Sequence, residues 1–197
     1  IEAHELDARI EVVLSNKPAA AGLERAAGAG IDTAVVRHGD YGDRAGFDAA
    51  MVEVLRAHHV DWVVLAGFMR IVTSTFLQAY PGRVINIHPS LLPSFVGVDA
   101  QQQAIDYGVR VTGCTVHLVD QGVDAGPILA QAIVPVHQDD DRDTLTTRLL
   151  KREHRLLVTV LQWIAEGRLS VETRAGQRPK VRIEGVQPLN LQGASDD

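Results

Sequence analysis

Short apolar runs alternate with helix-like patterns in the first half of the chain. Runs with the β-branched composition of buried strands cover residues 9–15, 33–37, 61–66 and 83–87. Between the first three runs, one segment is rich in alanine and another repeats its apolar positions at helical spacing. Strands that alternate with helices in this way are typical of parallel βαβ units. Because residues 61–66 and 83–87 are apolar on both faces, we expect them to be central strands covered by helices.

The second half of the chain predicts antiparallel pairing. Residues 112–119 and 128–136 are strand-like and are joined by a loop without a helix, so we expect a hairpin. An acidic run at residues 139–143 precedes a long amphipathic segment that ends at Gly167, and negative charge is favourable at a helix N-terminus. Residues 171–183 have the pattern of a final ribbon.

Together these patterns predict one α/β domain over residues 1–184. The expected architecture is a Rossmann-like open, mostly parallel sheet with helices on both faces and an antiparallel extension. A length of 197 residues with 46% hydrophobic composition suits a single core. Residues 185–197 are polar and lack periodicity, so we expect a mobile tail there.

The composition narrows the classes of function. Twenty-five acidic residues against nineteen basic ones give a net charge of −6, which argues against a nucleic-acid partner. No apolar stretch reaches the ~18 residues that span a bilayer, so we expect no membrane segment and a cytoplasmic protein. The one cysteine, Cys114, excludes a disulfide framework and a cysteine metal site. Without an HExxH motif or a set of suitably spaced histidines, we also expect no catalytic metal.

Candidate chemistry lies where ligands bind in open α/β sheets, beyond the carboxyl ends of the strands. Asn86 and His88 are separated by one residue, so an extended backbone projects both side chains to the same face. Taken alone, such a pair is more often structural. The glycine-rich loop that joins the predicted hairpin carries Asp120 and Asp124, and an ordinary Asx turn would explain either one. A carboxylate beside His88 would favour the charged imidazolium, which can stabilise negative charge on a neighbouring oxygen.

Three motifs in this region carry a resemblance to a known family. The segments AGFMRI (66–71), NIHPSLLPSF (86–95) and GCTVHLVDQGVDAGPILAQ (113–131) resemble phosphoribosylglycinamide formyltransferases. The resemblance extends from about Arg9 to Arg182. It implies a transferase of de novo purine biosynthesis that uses 10-formyltetrahydrofolate as donor and glycinamide ribonucleotide as acceptor, both small molecules.

The resemblance also assigns roles to individual positions. It implies that Asn86, His88 and Asp124 are catalytic: Asn86 and His88 would stabilise the oxyanion during direct attack by the amine, and Asp124 would favour the protonated form of His88. The implied folate contacts are Arg44, Met69, Arg70, Ile71, Val72 and Asp120, and the implied acceptor contacts are Asn86 and Glu153.

The sequence departs from the family pattern in three respects. Gln101 occupies a position where histidine is common, and Gln cannot titrate near neutral pH. Leu150 stands where a polar or basic neighbour of the acceptor phosphate is expected. The family's first strand and the glycine-serine-asparagine loop that holds this phosphate at a helix N-terminus are not within the printed residues, so we expect the domain to be incomplete at its N-terminus.

Three other functions stay open at this point. A formyltetrahydrofolate hydrolase resembles this family at the Asn-x-His and Asp positions, but gives the formyl group to water. A methionyl-tRNA formyltransferase would need a further domain and a basic surface. A folate-binding module without catalysis would also fit an incomplete phosphate site, and the sequence leaves a homodimer open.

Overall fold

The computed structural model describes residues 6–186. The strands are β1 (Val12–Ser15), β2 (Asp32–Val35), β3 (Val63–Leu65), β4 (Val84–His88), β5 (Val111–Leu118), β6 (Ile128–Pro135), β7 (Leu169–Glu172) and β8 (Lys180–Ile183). The helices are α1 (Ala21–Gly28), α2 (Arg44–Ala57), α3 (Ser74–Ala79), α4 (Ala100–Tyr107) and α5 (Arg142–Ala165), with a short 3-10 turn at His38–Asp40. No helix among these residues is long and apolar enough to cross a membrane.

The described strands form three sheets. β1 pairs with β2 in parallel, the order β3-β4-β5-β6 forms the largest sheet, and β7 pairs with β8. Within the largest sheet only β3 and β4 are parallel, whereas β4–β5 and β5–β6 are antiparallel. The predicted α/β class and antiparallel extension are confirmed, but the expected mostly parallel sheet is wrong. The βαβ pattern predicted the two parallel pairs, but hydrophobic spacing does not reveal that residues 89–110 return the chain so that β5 runs in the opposite direction.

Helices cover both faces of the central strand β4, as predicted. Val84 and Ile85 are fully buried neighbours that project to opposite faces of this strand. Val84 packs in one cluster with Phe47 of α2 and Phe76 of α3, while Ile85 packs in another with Val160 of α5. The strand that carries the candidate chemistry thus lies between two separate cores.

The elements from β5 to β8 agree with the sequence prediction. The hairpin β5–β6 is antiparallel. Asp141 caps α5 by accepting a hydrogen bond from the backbone N–H of Thr144, and Gly167 follows the helix in a left-handed conformation. The predicted ribbon is β7–β8, and the predicted tail falls almost entirely on residues 187–197, outside the described part of the chain.

Two helices escaped the sequence prediction. α3 has six residues, too few for a helical period to stand out. α4 buries only Ala100 and Ala104 among polar neighbours, so its apolar face is too small to be recognised. Together with residues 94–99, α4 supplies one wall of the cavity described below.

Candidate active site

A cavity of about 390 Å³ opens beyond the carboxyl ends of β3 and β4. This is the position where open α/β sheets bind their ligands. Its walls come from the segment after β3, the end of β4, the loop before α4, the loop after β5 and the start of α5. The residues that line it and matter below are Met69, Arg70, Ile71, Val72, Asn86, His88, Asp99, Gln101, His117, Asp120, Asp124 and Arg142.

His88 is held at both ring nitrogens, and its side chain is only 5% exposed. Nε2 lies 2.8 Å from the carbonyl oxygen of Phe95. Since a carbonyl can only accept, Nε2 carries a proton and donates it. Nδ1 lies 3.4 Å from Oδ2 of Asp124. The ring of His88 therefore lies between a backbone carbonyl and the carboxylate of Asp124.

Asp124 is fixed by backbone contacts on both sides. Its Oδ2 accepts a hydrogen bond of 2.8 Å from the backbone N–H of Gly97. Its φ of 47° lies in the left-handed region, which costs a non-glycine residue about 1 kcal/mol or more. Two residues later the loop lies against β5 so closely that a Cβ on Gly126 would stand 1.7 Å from the carbonyl oxygen of Leu118. Asp124 therefore faces His88 because the loop is anchored to the sheet.

Asn86 has a partner that the sequence did not suggest. The register of β4 and β5 places His117 directly opposite Asn86. His117 Nδ1 donates to the carbonyl oxygen of Leu118 at 2.9 Å, so Nε2 is the acceptor for the Asn86 amide N–H at 3.2 Å. Burial lowers the pKa of His117, although the Leu118 carbonyl and the charge of Asp124 oppose this. His117 is thus a neutral acceptor that fixes the orientation of the amide.

The segment after β3 gives the cavity an apolar rim. Met69 is 78% exposed and Ile71 is also exposed, whereas Val72 is buried beneath them. The guanidinium of Arg70 lies 5.5 Å from the centre of the Phe47 ring, on α2. This contact connects the segment after β3, which forms the rim, to the first turn of α2.

The sequence and the fold are also similar to those of known proteins. A family model described as formyl transferase matches residues 1–161. The phosphoribosylglycinamide formyltransferase of Bacillus subtilis is 43% identical over 156 residues, which cover 79% of this chain and 80% of that protein. The chain belongs to the phosphoribosylglycinamide formyltransferase family. The prediction of a formyltransferase made from the three motifs is confirmed.

Two further relatives show how far the similarity extends. The crystal structure of glycinamide ribonucleotide transformylase 1 from Symbiobacterium toebii superposes with a TM-score of 0.88 at 47% identity, and covers 92% of this chain and 84% of that one. The trifunctional purine biosynthetic protein adenosine-3 of Bos taurus is 50% identical over 160 residues. These are 81% of this chain but 16% of that protein, so the chain spans about a sixth of the length of such relatives.

The positions that the family resemblance implied divide into two groups. Asn86, His88 and Asp124 meet at one wall of the cavity, and Met69, Arg70, Ile71, Val72, Asp120 and Gln101 also line it. Asp120 at the same time accepts a hydrogen bond of 2.9 Å from the backbone N–H of Gly122, the Asx turn considered for one of the two loop aspartates.

The other implied residues lie outside the cavity lining. Arg44 is the first residue of α2, one turn before Phe47 and its Arg70 contact. Glu153 lies on α5 on the side that faces β5: burial raises its pKa, and its charge adds to burial in raising the pKa of Cys114 to about 12. Leu150 is exposed on the same helix.

Sequence reasoning missed an ion pair in the wall of the cavity. Arg142 Nε lies 2.7 Å from Oδ1 of Asp99, so the first turn of α5 is joined to the residue that precedes α4. Both residues line the cavity. No local pattern in the sequence pairs Arg142 with a residue 43 positions away.

Proposed function

We propose that this protein transfers the formyl group of 10-formyltetrahydrofolate to the amine of glycinamide ribonucleotide, a step of purine biosynthesis. The observation that carries the proposal is the buried pair of His88 and Asp124 beside Asn86, at the wall of a cavity with an apolar rim. The names of the B. subtilis and S. toebii relatives support the same reaction.

The cavity favours direct attack over a covalent enzyme intermediate. Among the described residues that line it there is no serine, threonine, cysteine or lysine. Cys114 is fully buried, and burial raises its pKa to about 12. A neutral amine is already a competent nucleophile, so it needs no activated side chain to attack the formyl carbon.

The groups at the wall have complementary roles in this mechanism. One N–H of the Asn86 amide donates to His117, which leaves the second for the oxyanion that develops on the formyl oxygen. The imidazolium of His88 adds positive charge beside it. Because Nε2 of His88 already donates to Phe95, a direct bond from His88 to the oxyanion requires that this contact exchange for the substrate.

The reaction also needs one proton transfer. The new C–N bond makes the amine nitrogen acidic, and the folate nitrogen must gain a proton as its bond to the formyl carbon breaks. We assign to Asp124, whose side chain is 12% exposed, the ordering of a water for this transfer. Met69, Arg70, Ile71, Val72 and Asp120 line the cavity, and we assign them to the folate. Arg44, outside this lining, is a further candidate for the folate, and Glu153 is our candidate contact for the acceptor ribose.

An assay with purified protein tests the assignment. Formyl donor is mixed with protein in the presence or absence of glycinamide ribonucleotide, and release of tetrahydrofolate is followed. Release that depends on the acceptor supports the transferase. Release without acceptor would indicate a hydrolase, and donor binding without release a folate-binding module; either result contradicts the proposal.

Variants of the buried pair test the mechanism. We expect His88→Ala and Asp124→Asn each to lower kcat by about a hundredfold or more, as loss of a general acid or base typically does. His154→Ala and Asp106→Asn, which alter exposed residues of α5 and α4, are matched controls. Near-normal turnover in both cavity variants, with circular dichroism unchanged, would rule out the mechanism.

A further inference from the structure

The loop that carries Asp124 is also contacted from outside the sheet, by Arg178. This residue belongs to the connection between β7 and β8. Its guanidinium Nη2 donates to the carbonyl oxygen of Ala125 and, at 3.1 Å, to that of Gly126. These two residues follow Asp124 directly. Arg178 is separated from them by more than fifty positions, so the contact depends on the whole C-terminal fold.

The ribbon is a firm support for this side chain. β7 and β8 pair over four residues each. Leu169 and Val181, one on each strand, pack on the core cluster beneath α5. Pro179 follows Arg178 and restricts its backbone to extended conformations. The guanidinium is therefore directed at the loop by a segment that is itself anchored to the core.

The loop needs such support at this point. The carbonyls of Ala125 and Gly126 belong to no strand, since β5 ends at Leu118 and β6 begins at Ile128. Asp124 has the unfavourable left-handed backbone, and a peptide rotation there would turn its carboxylate away from His88. A planar guanidinium that bridges two successive carbonyls restrains this rotation, because it fixes the directions of both neighbouring peptides.

We propose that Arg178 is a positioning residue for the reaction: it fixes the peptides after Asp124 and thereby keeps the carboxylate beside His88. This inference rests on the proposed function. It assigns to the C-terminal ribbon a part in catalysis, although Arg178 does not line the cavity.

The test compares Arg178→Ala with Arg174→Ala. Arg174 lies in the same connection and its contact is a 3.7 Å ion pair with Glu172, so the control removes the same charge from the same turn. We expect Arg178→Ala to lower kcat by about tenfold to a hundredfold, the scale of a displaced catalytic group, and Arg174→Ala to be close to wild type. If Arg178→Ala does not fold, Arg178→Met, which keeps an unbranched side chain but has no N–H donor, takes its place with the same expectation.

A second comparison separates positioning from a general effect on stability. In an Asp124→Asn background the group that Arg178 positions is already lost, so Arg178→Ala should lower kcat further by less than about twofold. Arg178→Ala with wild-type kcat, or an equal loss of kcat in both backgrounds, would overturn the inference. If the unmodified protein has no transfer activity, both the proposed function and this inference fail. If the wild type is active and the Arg178→Ala variant is equally active, this inference alone is overturned.

Discussion

At the scale of single residues, the site depends on how hydrogen-bond donors and acceptors are assigned. The Phe95 carbonyl determines that Nε2 of His88 is a donor, and the Leu118 carbonyl determines that Nε2 of His117 is an acceptor. Two histidines on adjacent strands thus have opposite roles. At the same ring position, Nε2, His88 donates a hydrogen bond and His117 accepts one.

His117 should matter for turnover although it is not expected to touch the reacting atoms. Replacing it with phenylalanine removes the acceptor for the Asn86 amide, so we expect kcat to fall by about fivefold, the equivalent of one lost hydrogen bond of about 1 kcal/mol. Glutamine retains an oxygen acceptor and should restore much of the loss. Steady-state kinetics of both variants checks this. Equal activity of the phenylalanine variant and wild type would show that the amide needs no partner.

At the scale of elements, α5 is attached to the preceding loop by a partly buried ion pair. Asp140, whose side chain is 4% exposed, accepts two hydrogen bonds from the guanidinium of Arg148 and one from the backbone N–H of His137. The bond to Arg148 is the largest cause that holds the pKa of Asp140 well below its usual value. The start of α5, which supplies Arg142 to the cavity, therefore rests on an ionised aspartate.

The stability of this attachment should depend on pH. A carboxyl group whose pKa is lower in the folded state stabilises the protein above its unfolded pKa, about 3.9, and the effect is lost as pH falls towards the folded value. We expect Asp140→Asn to reduce the free energy of unfolding by about 2 kcal/mol at pH 7. The difference from wild type should narrow below about pH 4.

Urea denaturation at several pH values measures this difference. Asp139→Asn, a change at the exposed neighbouring position, is the control and should have little effect at any pH. A pH-independent difference between Asp140→Asn and wild type would show that the pair does not act through its charge.

The elements also show which parts of the fold and of the candidate site the sequence could predict, and why it could not predict the others. The same-face pair Asn86 and His88 followed from the two-residue period of a strand, and the β5–β6 hairpin from its lack of a helix. His117 required the register of two strands, which no local pattern gives. The choice of Asp124, not Asp120, as the aspartate beside His88 required the family resemblance. The Phe95 carbonyl and the Gly97 N–H are backbone groups, which every sequence has, so only the folded chain could show that they hold His88 and Asp124.

At the scale of the whole molecule, the single thiol reports on the integrity of the sheet. Cys114 lies in the middle of β5, is fully buried and, because burial raises its pKa to about 12, is protonated at neutral pH. Only a thiolate that reaches solvent reacts with a disulfide reagent. Since β5 pairs with β4 on one side and β6 on the other, Cys114 becomes exposed only when the largest sheet opens.

We therefore expect the native protein to react slowly with 5,5′-dithiobis(2-nitrobenzoic acid). The rate should rise with urea in parallel with the loss of circular dichroism, because labelling requires global unfolding. Fast labelling in the absence of denaturant would instead indicate local opening of β5. The chain has no other cysteine, so no background reaction needs to be subtracted.

The cavity combines rigid and adaptable surfaces in one space. The wall with His88 and Asp124 is nearly excluded from solvent and is tied to two cores through β4, whereas Met69 and Val98 at the mouth are largely exposed. A solvated, unbranched methionine side chain can repack around ligands of different shape at little cost. Substitutions at the mouth can therefore change which ligands enter while the wall stays unchanged, so the two parts of the cavity can evolve independently.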